Sequence, residues 1–492
     1  MSLKIESLNE AEHSMSFLNG LVDKIWTRRD TLLLVVGANP CLRAVYLKAI
    51  ETGKLKQFSH CALTKMDYTL GRAEEKIKNK LLELTKLRKK VKIFIYFSCM
   101  EIVTAVDLTN IISEIEDYEK DIKIFPIKRG PMVKRHFSAK TYLEEIFKNF
   151  DSEEEPIEHY EEPVFAGETE IVLCSLEYSQ HRKCILQPGG CISCIKRGNY
   201  KINKDNIYTT RFNDLDMTFG LENKIVKESK AKFLDKKNII FFETLLPQVV
   251  GFNNVILEEY YSDNDLKTLM LSSEDGSQAF ILLKKAYKFI LEDYLKNCST
   301  NSDKTLICGY STLVGYYQKI VLEEINELEN KEKYIIELNN SLPSELLVTN
   351  LEGLILANLW KELSGIPYKI FYPKNLHFKL SDLCEESRIL LVGEPIQILA
   401  YEKILKKIYP KAEIILSFYH SNIKLDIEIE KFFEENAIIK CQKLEDLMEL
   451  IDDRSTLIAD KQLFFPLAAK SKYKFKFVEM NYQWLSADIK NS

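Results

Sequence analysis

The sequence has no apolar run that approaches the ~20 residues of a membrane-spanning helix. Its first residues, Met1 to Glu6, lack the basic start and apolar core of a secretion signal. The net charge of −5 is not that of a typical nucleic-acid-binding protein, because such proteins are usually basic. We therefore expect a cytoplasmic protein with neither a membrane nor nucleic acid as its partner.

Two nucleotide-binding motifs are also missing. The chain has no Gly-x-x-x-x-Gly-Lys-Ser/Thr segment, so it is not expected to hydrolyse ATP itself. After a predicted strand near the C-terminal end, the turn Val392-Gly393-Glu394 does not match the Gly-x-Gly-x-x-Gly fingerprint. No nucleotide cofactor is therefore expected in this chain.

Cysteine, in contrast, is well represented and unevenly placed. Seven of the eleven cysteines precede residue 195, and four of those lie between Cys174 and Cys194. A disulfide framework is not expected in a cytoplasmic chain. The clustering favours metal binding or redox use over scattered core thiols.

Strand-like runs alternate with helical patterns along the whole chain, which predicts an α/β fold with parallel sheets. The middle part includes a predicted helix at 313–326 and a predicted strand at 334–337. The segment at 151–163 has seven acidic residues and two prolines, a composition that cannot build a core. We predict an N-terminal α/β domain at 1–150, an acidic linker at 151–163, a second α/β domain at 164–302, a middle α/β domain at 303–384 and a C-terminal Rossmann-like domain of the flavodoxin type at 385–492.

One segment occurs twice. In the first copy a buried-strand run leads into Pro40-Cys41, then Asp67-Tyr68-Thr69-Leu70-Gly71, then a second strand that ends at Cys99. The second copy follows at an offset of about 150 residues, with Pro188-Gly189-Gly190-Cys191, Asp216-Met217-Thr218-Phe219-Gly220 and a strand that ends at Leu245. A near-constant offset predicts a duplicated α/β unit with cysteines at strand ends.

The order of these motifs resembles the nitrogenase component 1 family, which includes the molybdenum-iron protein, dark-operative protochlorophyllide reductase and cofactor-assembly scaffolds. The similar segments include Gln187 to Cys191, Asp214 to Gly220, Val250-Gly251-Phe252-Asn253, Gly365-Ile366-Pro367-Tyr368 and Ile389 to Glu394. The resemblance covers about residues 20–480 and lies in the order of the motifs. It implies several Rossmann-like domains with a duplicated first domain.

The chain departs from the family where an iron-molybdenum-type cofactor would bind. Members with that cofactor carry a cysteine before the Gly-Ile-Pro turn, where this chain has Thr349 or a close neighbour. They also carry a histidine near the end, whereas the last histidine here is His420. Dinitrogen reduction is therefore not expected.

The resemblance implies an iron–sulfur cluster near an interface between subunits. Such a cluster needs about four soft thiolate ligands. Neither copy supplies four, but the two together do, and we expect them to hold one 4Fe–4S cluster between the repeats or with help from a partner subunit. The predicted ligands are Cys41, Cys99, Cys174 and Cys191, with Cys184 and Cys194 as weaker candidates.

Two alternative roles for the cysteines stay open at this point. Cys174, Cys184, Cys191 and Cys194 could form a structural zinc site with His181, although their irregular spacing weakens that interpretation. Alternatively, several of these residues are simply buried thiols. The four later cysteines show no ligand pattern and are interpreted as core or incidental residues; they are Cys298, Cys308, Cys384 and Cys441.

Polar residues and glycines near the repeated motifs admit two interpretations each. Asp67 and Asp216 are interpreted as turn or helix caps, with a role near a redox site as the alternative. His60 and His181 are interpreted as satisfied side chains, with proton donation to the site as the alternative. Gly189-Gly190 fits a tight turn or a close approach of the backbone to a cluster.

The sequence thus predicts a subunit of a nitrogenase-like component 1 oxidoreductase that takes electrons from an ATP-dependent iron protein to reduce an unidentified substrate. The expected partners are that iron protein and a homologous component 1 subunit or a second copy of the chain. A non-catalytic scaffold or carrier of a metallocluster is the alternative. A third hypothesis is a cluster-free sugar- or metabolite-binding protein, since stacked Rossmann-like domains form clefts between them.

Overall fold

The computed structural model describes residues 3–8, 10, 20–87, 90–119, 121–128, 139–150, 155–177, 179–188, 206–218, 220–233, 238–263, 266–273, 277–309, 321, 323–374, 387–421 and 423–486. The strands are β1 (Lys4–Ser7), β2 (Thr31–Gly37), β3 (Phe58–Ala62), β4 (Val91–Phe97), β5 (Ile122–Lys128), β6 (Arg182–Leu186), β7 (Ile207–Arg211), β8 (Ile239–Glu243), β9 (Thr268–Ser272), β10 (Thr300–Asn301), β11 (Thr305–Cys308), β12 (Lys331–Glu332), β13 (Ser341–Leu342), β14 (Glu345–Val348), β15 (Tyr368–Ile370), β16 (Arg388–Val392), β17 (Glu413–Tyr419), β18 (Ile438–Cys441), β19 (Ser455–Ala459) and β20 (Lys476–Glu479).

The helices are α1 (Leu21–Ile25), α2 (Asn39–Glu51), α3 (Lys65–Thr69), α4 (Ala73–Thr85), α5 (Cys99–Val103), α6 (Thr109–Tyr118), α7 (Ala139–Lys148), α8 (Glu168–Ser175), α9 (Asp214–Thr218), α10 (Glu222–Lys232), α11 (Leu245–Val249), α12 (Val255–Ser262), α13 (Ala279–Leu295), α14 (Leu351–Ser364), α15 (Pro395–Ile408), α16 (Ile427–Glu435), α17 (Leu444–Glu449), α18 (Lys461–Lys470) and α19 (Gln483–Ser486). Short 3-10 helices cover Leu55–Gln57 and Ile335–Leu338. Among these described helices, none combines the length and the apolar character needed to cross a bilayer.

The first two sheets have the same construction. The first unit, β2 to β5 with its helices, has the parallel strand order β3-β2-β4-β5. The second unit, β6 to β9 with its helices, has the matching parallel order β7-β6-β8-β9, and β1 is added antiparallel to β7. The predicted duplication of an α/β unit is therefore confirmed at the level of strand order.

The third and fourth units are also parallel sheets. The third has the order β12-β11-β14-β15, and the fourth has the order β18-β17-β16-β19-β20. Counted along the chain, the fourth is 3-2-1-4-5, which is the Rossmann order. The predicted flavodoxin type was wrong for this unit, because the third strand, β18, pairs outside β17 instead of beside β16. The α/β prediction with several Rossmann-like parallel sheets is confirmed.

Several predicted elements can be compared directly with the structure. The predicted strand at 334–337 was wrong, because Ile335–Leu338 forms a 3-10 helix. The predicted helix at 313–326 falls mostly outside the described residues. The helix predicted at 350–363 is present as α14, and it ends at Gly365, whose φ of 75° is the left-handed conformation that glycine adopts readily.

The acidic segment at 155–163 is packed against the first unit. Glu161 accepts a hydrogen bond from the Ser59 hydroxyl at 2.5 Å and pairs with Lys80 at 2.6 Å. The main-chain N–H of Ile157 donates to the carbonyl of Arg29 at 3.1 Å, and the Ile157 side chain is buried. Specific ion pairing and hydrogen bonding thus order a segment whose composition predicts no core of its own.

One buried cation connects three of the units. Arg43 of α2 is fully buried and donates through Nη1 to the carbonyls of Val164 and Leu485. Its Nε lies 3.8 Å from a carboxylate oxygen of Glu170 in α8. Arg43 therefore joins the first unit to the segment that enters the second unit and to the last described helix.

The third and fourth units meet at two buried carboxyl groups. Glu394 accepts hydrogen bonds from the main-chain N–H groups of Leu351 and Gln397, both at 2.8 Å. It thus caps α14 and α15 together by accepting from the first turn of each helix. Glu352 accepts from Trp484 Nε1 at 2.8 Å.

These two carboxyl groups make stability depend on pH. Burial raises the pKa of Glu352 to about 7, and burial together with the nearby Glu352 charge raises the pKa of Glu394 to about 8. Because the folded chain keeps protons that the unfolded chain loses above about pH 4.5, the stability that they contribute falls between that pH and about pH 8.

Glu352→Gln tests this electrostatic coupling. The amide keeps an acceptor for Trp484 but carries no charge. As the pH rises from about 5 to about 8.5, the unsubstituted protein loses stability that the variant keeps. We therefore expect the free energy of unfolding of the variant, relative to that of the unsubstituted protein, to rise by about 3 kcal/mol over this range. Urea unfolding at both pH values measures the change, and Glu259→Gln at an exposed site is the control. A difference that does not vary with pH would contradict the expectation.

Gly353 lies where α14 crosses β11. A Cβ at this position would overlap the main-chain carbonyl of Cys308, which also accepts a hydrogen bond from Thr349. The backbones of the two elements therefore approach more closely than any side chain permits.

Gly353→Ala should destabilise the protein by about 3 kcal/mol or more, since the clash is with backbone. Gly53→Ala is the matched control, because Gly53 has a positive φ of 66° but open space around it. The control should lose about 1–2 kcal/mol from backbone strain alone. Equal losses of thermal stability in the two variants would show that the close approach is unimportant.

Candidate functional site

Two cysteines follow the two central strands of the first unit. In the order β3-β2-β4-β5 the chain reverses direction across the sheet between β2 and β4, and ligands of open α/β sheets bind outside the carboxyl ends of such strands. Cys41 lies in the first turn of α2 after β2, and Cys99 is the first residue of α5 after β4. The strand order thus brings both residues to the switch point of this sheet.

Local capping fixes the start of α5. The Ser98 hydroxyl accepts from the N–H of Met100 at 3.3 Å, and its own N–H donates to Glu101 at 2.7 Å. A Cβ on Gly37, at the end of β2, would lie 3.0 Å from the Ser98 oxygen. With a φ of 140°, Gly37 therefore permits the close approach of the two strand ends.

The thiol of Cys41 lies close enough to Cys99 and Glu101 to interact with both. Burial raises the pKa of Cys41 to about 12, the Cys99 and Glu101 charges add to the rise, and a hydrogen bond from Ser98 opposes it. At neutral pH the Cys41 thiol is therefore protonated. A metal cation would supply the positive charge that favours the thiolate form.

Glu101 and Tyr68 complete this cluster. The Glu101 carboxyl is 2% exposed, and burial raises its pKa. The Tyr68 hydroxyl donates to it, and burial and the Glu101 charge raise the pKa of Tyr68 in turn. Glu101 was not among the residues predicted from the sequence, although the capping pattern Ser98-Cys99-Met100-Glu101 was visible as Ser-x-x-Glu.

The other predicted ligands are placed differently. Cys174 lies in α8, is 1% exposed and belongs to the large core that spans several units. Cys184 lies in β6, is fully buried and faces the second core with Leu186 and Phe241. Cys191 and Cys194, like Gly189 and Gly190, lie outside the described residues. The structure therefore brings together Cys41 and Cys99, and it places Cys174 and Cys184 in separate apolar cores.

No group of three histidine, cysteine, aspartate or glutamate side chains that could hold a metal ion occurs among the residues described. The described residues thus supply two neighbouring thiols, Cys41 and Cys99, and do not by themselves complete a cluster site. The four-cysteine ligand set and the zinc alternative both stay predictions. Cys308 and Cys441 are buried as expected for core residues, Cys298 is half-buried, and Cys384 lies outside the described range.

The second copy faces the first across this site. Leu245, at the position that corresponds to Cys99, begins α11, and α11 packs against α3 of the first unit. At the end of β8, burial raises the pKa of Glu243, while the positive charge of Lys65 from α3 opposes the rise. The carboxyl edges of the two sheets therefore lie next to each other.

Asp67 and Asp216 have the same structural role in the two copies. Asp67 accepts from the N–H of Thr64 at 2.7 Å and pairs with Lys76 at 2.8 Å. Asp216 accepts from the N–H of Asn213 at 3.0 Å and pairs with Lys224 at 2.9 Å. The interpretation of both residues as helix caps is confirmed.

His60 and His181 lie apart from the thiol pair. His60 Nε2 is 3.0 Å from the carbonyl of Glu162 in the acidic segment. His181 Nδ1 is 3.1 Å from the Ser179 hydroxyl. Each ring thus has one hydrogen-bonded nitrogen, while His60 Nδ1 and His181 Nε2 are buried without a hydrogen-bond partner among the described residues. Both interpretations of these histidines stay predictions.

Comparison with known proteins identifies no family for this chain. No protein-family model matches the chain, and no curated protein sequence matches it. Among solved structures, a chain of "Nitrogenase Cp1 at pH 6.5" is similar, with a TM-score of 0.43, 13% identity and coverage of 71% of this chain and 92% of that chain. A chain of "Nitrogenase Cp1 at pH 5" has a TM-score of 0.43 and 11% identity, and the match covers 67% of this chain and 85% of that chain. A similarity of this size supports no conclusion about function, and the fold class follows from the strand orders of the four larger sheets.

Asp67→Ala should cost about 1–2 kcal/mol of stability, because the start of α3 loses its capping carboxylate. Asp216→Ala should cost a similar amount in the second copy. Thermal unfolding measures both, and Asp117→Ala at an exposed position is the control. If both variants were as stable as that control, the capping role would be wrong.

Proposed function

We propose that this chain is a nitrogenase component 1-like oxidoreductase subunit. It binds an iron–sulfur cluster of the 4Fe–4S type, with Cys41, Cys99, Cys174 and Cys191 as the proposed ligands. It accepts electrons from a separate ATP-dependent iron protein, and it reduces a substrate other than dinitrogen. Its second partner is a homologous component 1 subunit or another copy of the chain, in the cytoplasm.

The observation that carries this proposal is the meeting of Cys41 and Cys99 at the switch point of the first sheet. Two thiols at the ends of neighbouring parallel strands, beside the edge of a second such sheet, give an iron–sulfur cluster part of its ligand set. The cluster, when bound, supplies one-electron redox chemistry. Cys191 follows β6 in the sequence, and we propose that it approaches the same edge.

The chain's own residues would prepare this site. Ligation requires each thiol to lose a proton, and the buried Glu101 carboxyl is an acid–base group close enough to Cys41 to interact with it. Ser98 holds Glu101 through its N–H at 2.7 Å and its hydroxyl at 2.6 Å, which orients the carboxyl toward the strand ends. Glu101 is therefore proposed as a positioning residue for the cysteine pair.

A non-catalytic scaffold or carrier of a metallocluster is the second candidate. The observation that favours it is the burial of Cys174 in an apolar core, because the described residues then bring together only two of the proposed ligands, Cys41 and Cys99. A cluster with few ligands from one chain can be passed to another protein. Turnover of substrate with an added iron protein would separate the catalytic subunit from the carrier.

Iron and acid-labile sulfide analysis of anaerobically purified protein tests the cluster. We expect both elements in equal amounts, at about four per cluster. Cys41→Ser and Cys99→Ser should each lose most of the iron, because serine is a poor ligand for iron in such clusters. Cys298→Ser, at a half-buried position away from the site, is the matched control and should keep it. Colourless, iron-free wild-type protein, or full iron in both site variants, would overturn the proposal.

A further inference from the structure

A cavity lies between the second and third units, away from Cys41 and Cys99. Its volume is about 230 Å³. The turn after α8, one face of α13 and the end of β11 with the segment that follows β12 form its walls. Clefts between domains are common sites for small ligands.

A buried lysine holds one wall of this cavity in place. Lys183 of β6 is fully buried, and its Nζ donates to the carbonyls of Glu177 at 3.2 Å and Ser179 at 2.9 Å. The N–H of His181 donates to the Ser179 hydroxyl at 3.2 Å. The turn that carries Ser179, Gln180 and His181 is therefore fixed before any ligand binds.

Asp293 at this wall is paired within the protein, and His181 is uncharged. Asp293 of α13 accepts from Asn238 at 3.0 Å and lies 3.5 Å from Lys267 Nζ and 3.7 Å from His181 Nε2. Burial lowers the pKa of His181 to about 4, so the ring is neutral at neutral pH. Lys333, at the opposite wall, has interactions of its own within the protein. Among the described lining residues, the ionisable groups thus have interactions within the protein, which favours a ligand without a formal charge.

The rest of the described lining combines aliphatic side chains with aromatic rings and carboxamides. Tyr287 and Tyr294 of α13 and Tyr334 of the third unit line the cavity. The Tyr294 hydroxyl donates to the Ser341 carbonyl at 2.8 Å. Gln180 and Asn340 bring exposed amide groups to the cavity. Carboxamides both donate and accept hydrogen bonds, as hydroxyl groups do, whereas tyrosine rings pack against apolar C–H faces.

We propose that this cavity binds an uncharged, polyhydroxylated ring of monosaccharide size. The hydroxyl groups would bond to Gln180, Asn340 and the Ser179–His181 pair, and the ring face would pack on the tyrosines. This site uses none of the cysteines and is independent of the proposed redox function.

Isothermal titration calorimetry of the full-length protein with glucose, galactose and mannose tests the proposal. We expect saturable binding of at least one sugar with a Kd below about 1 mM. Gln180→Ala should weaken it about fivefold and His181→Phe about tenfold, because each removes hydrogen bonds to the ligand. Gln442→Ala, at an exposed position in the fourth unit, is the matched control and should change nothing.

Three outcomes would overturn the proposal. The first is no saturable heat from any of the three sugars at 10 mM. The second is unchanged affinity in Gln180→Ala, an exposed substitution that keeps the fold. The third is binding of glucose 6-phosphate or glucuronate at least as tight as that of glucose, which would contradict an uncharged ligand. Iron and sulfide content is measured on the same protein preparation, so failure here and failure of the redox proposal are distinguishable.

Discussion

The arrangement of this molecule depends on the buried guanidinium of Arg43. A charge in this environment is tolerated only with several close partners, and Arg43 finds them in Val164, Glu170 and Leu485 from other parts of the chain. These partners lie far from Arg43 in sequence, so the contact forms only when the units are assembled. Because Arg43 shares α2 with Cys41, the same interaction orients the helix that presents the thiol to Cys99.

The duplicated units have diverged in chemistry while keeping their mechanics. Each copy retains an aspartate cap paired with a lysine, at Asp67 and Asp216, together with the same order of four parallel strands. At the strand ends the copies differ, because the first has Cys99 and the second has Leu245 in a largely apolar setting. At this one position of the shared edge the first copy thus has a thiol, and the second has an apolar side chain.

The elements with continuous apolar runs were predictable from the sequence, because a strand buried on both faces needs such a run. β6 was missed because Arg182 and Lys183 interrupt its pattern, although both are buried in the structure. Strand order was not readable, since hydrophobicity fixes burial and not the neighbour of each strand. That Cys41 and Cys99 lie close together was predictable, because each follows the end of a parallel strand. The sequence could not show that Cys184 faces one core while Cys174 lies in another, because that depends on which side of a sheet each element packs.

The antiparallel pairing of β1 with β7 has a consequence for how the protein is assembled and divided. The strand at Lys4–Ser7 completes the sheet of the second unit, so the whole first unit lies between two strands of one sheet. During synthesis, about 200 further residues are added after β1 before its partner strand β7 is made. Cleavage of the chain in the acidic segment would separate β1 from β7 in sequence. The outer edge of β7 would then be unpaired, and β1 would remain on the first fragment without its partner. We therefore expect the two copies to fold together, even though each has the strand order of a separate domain.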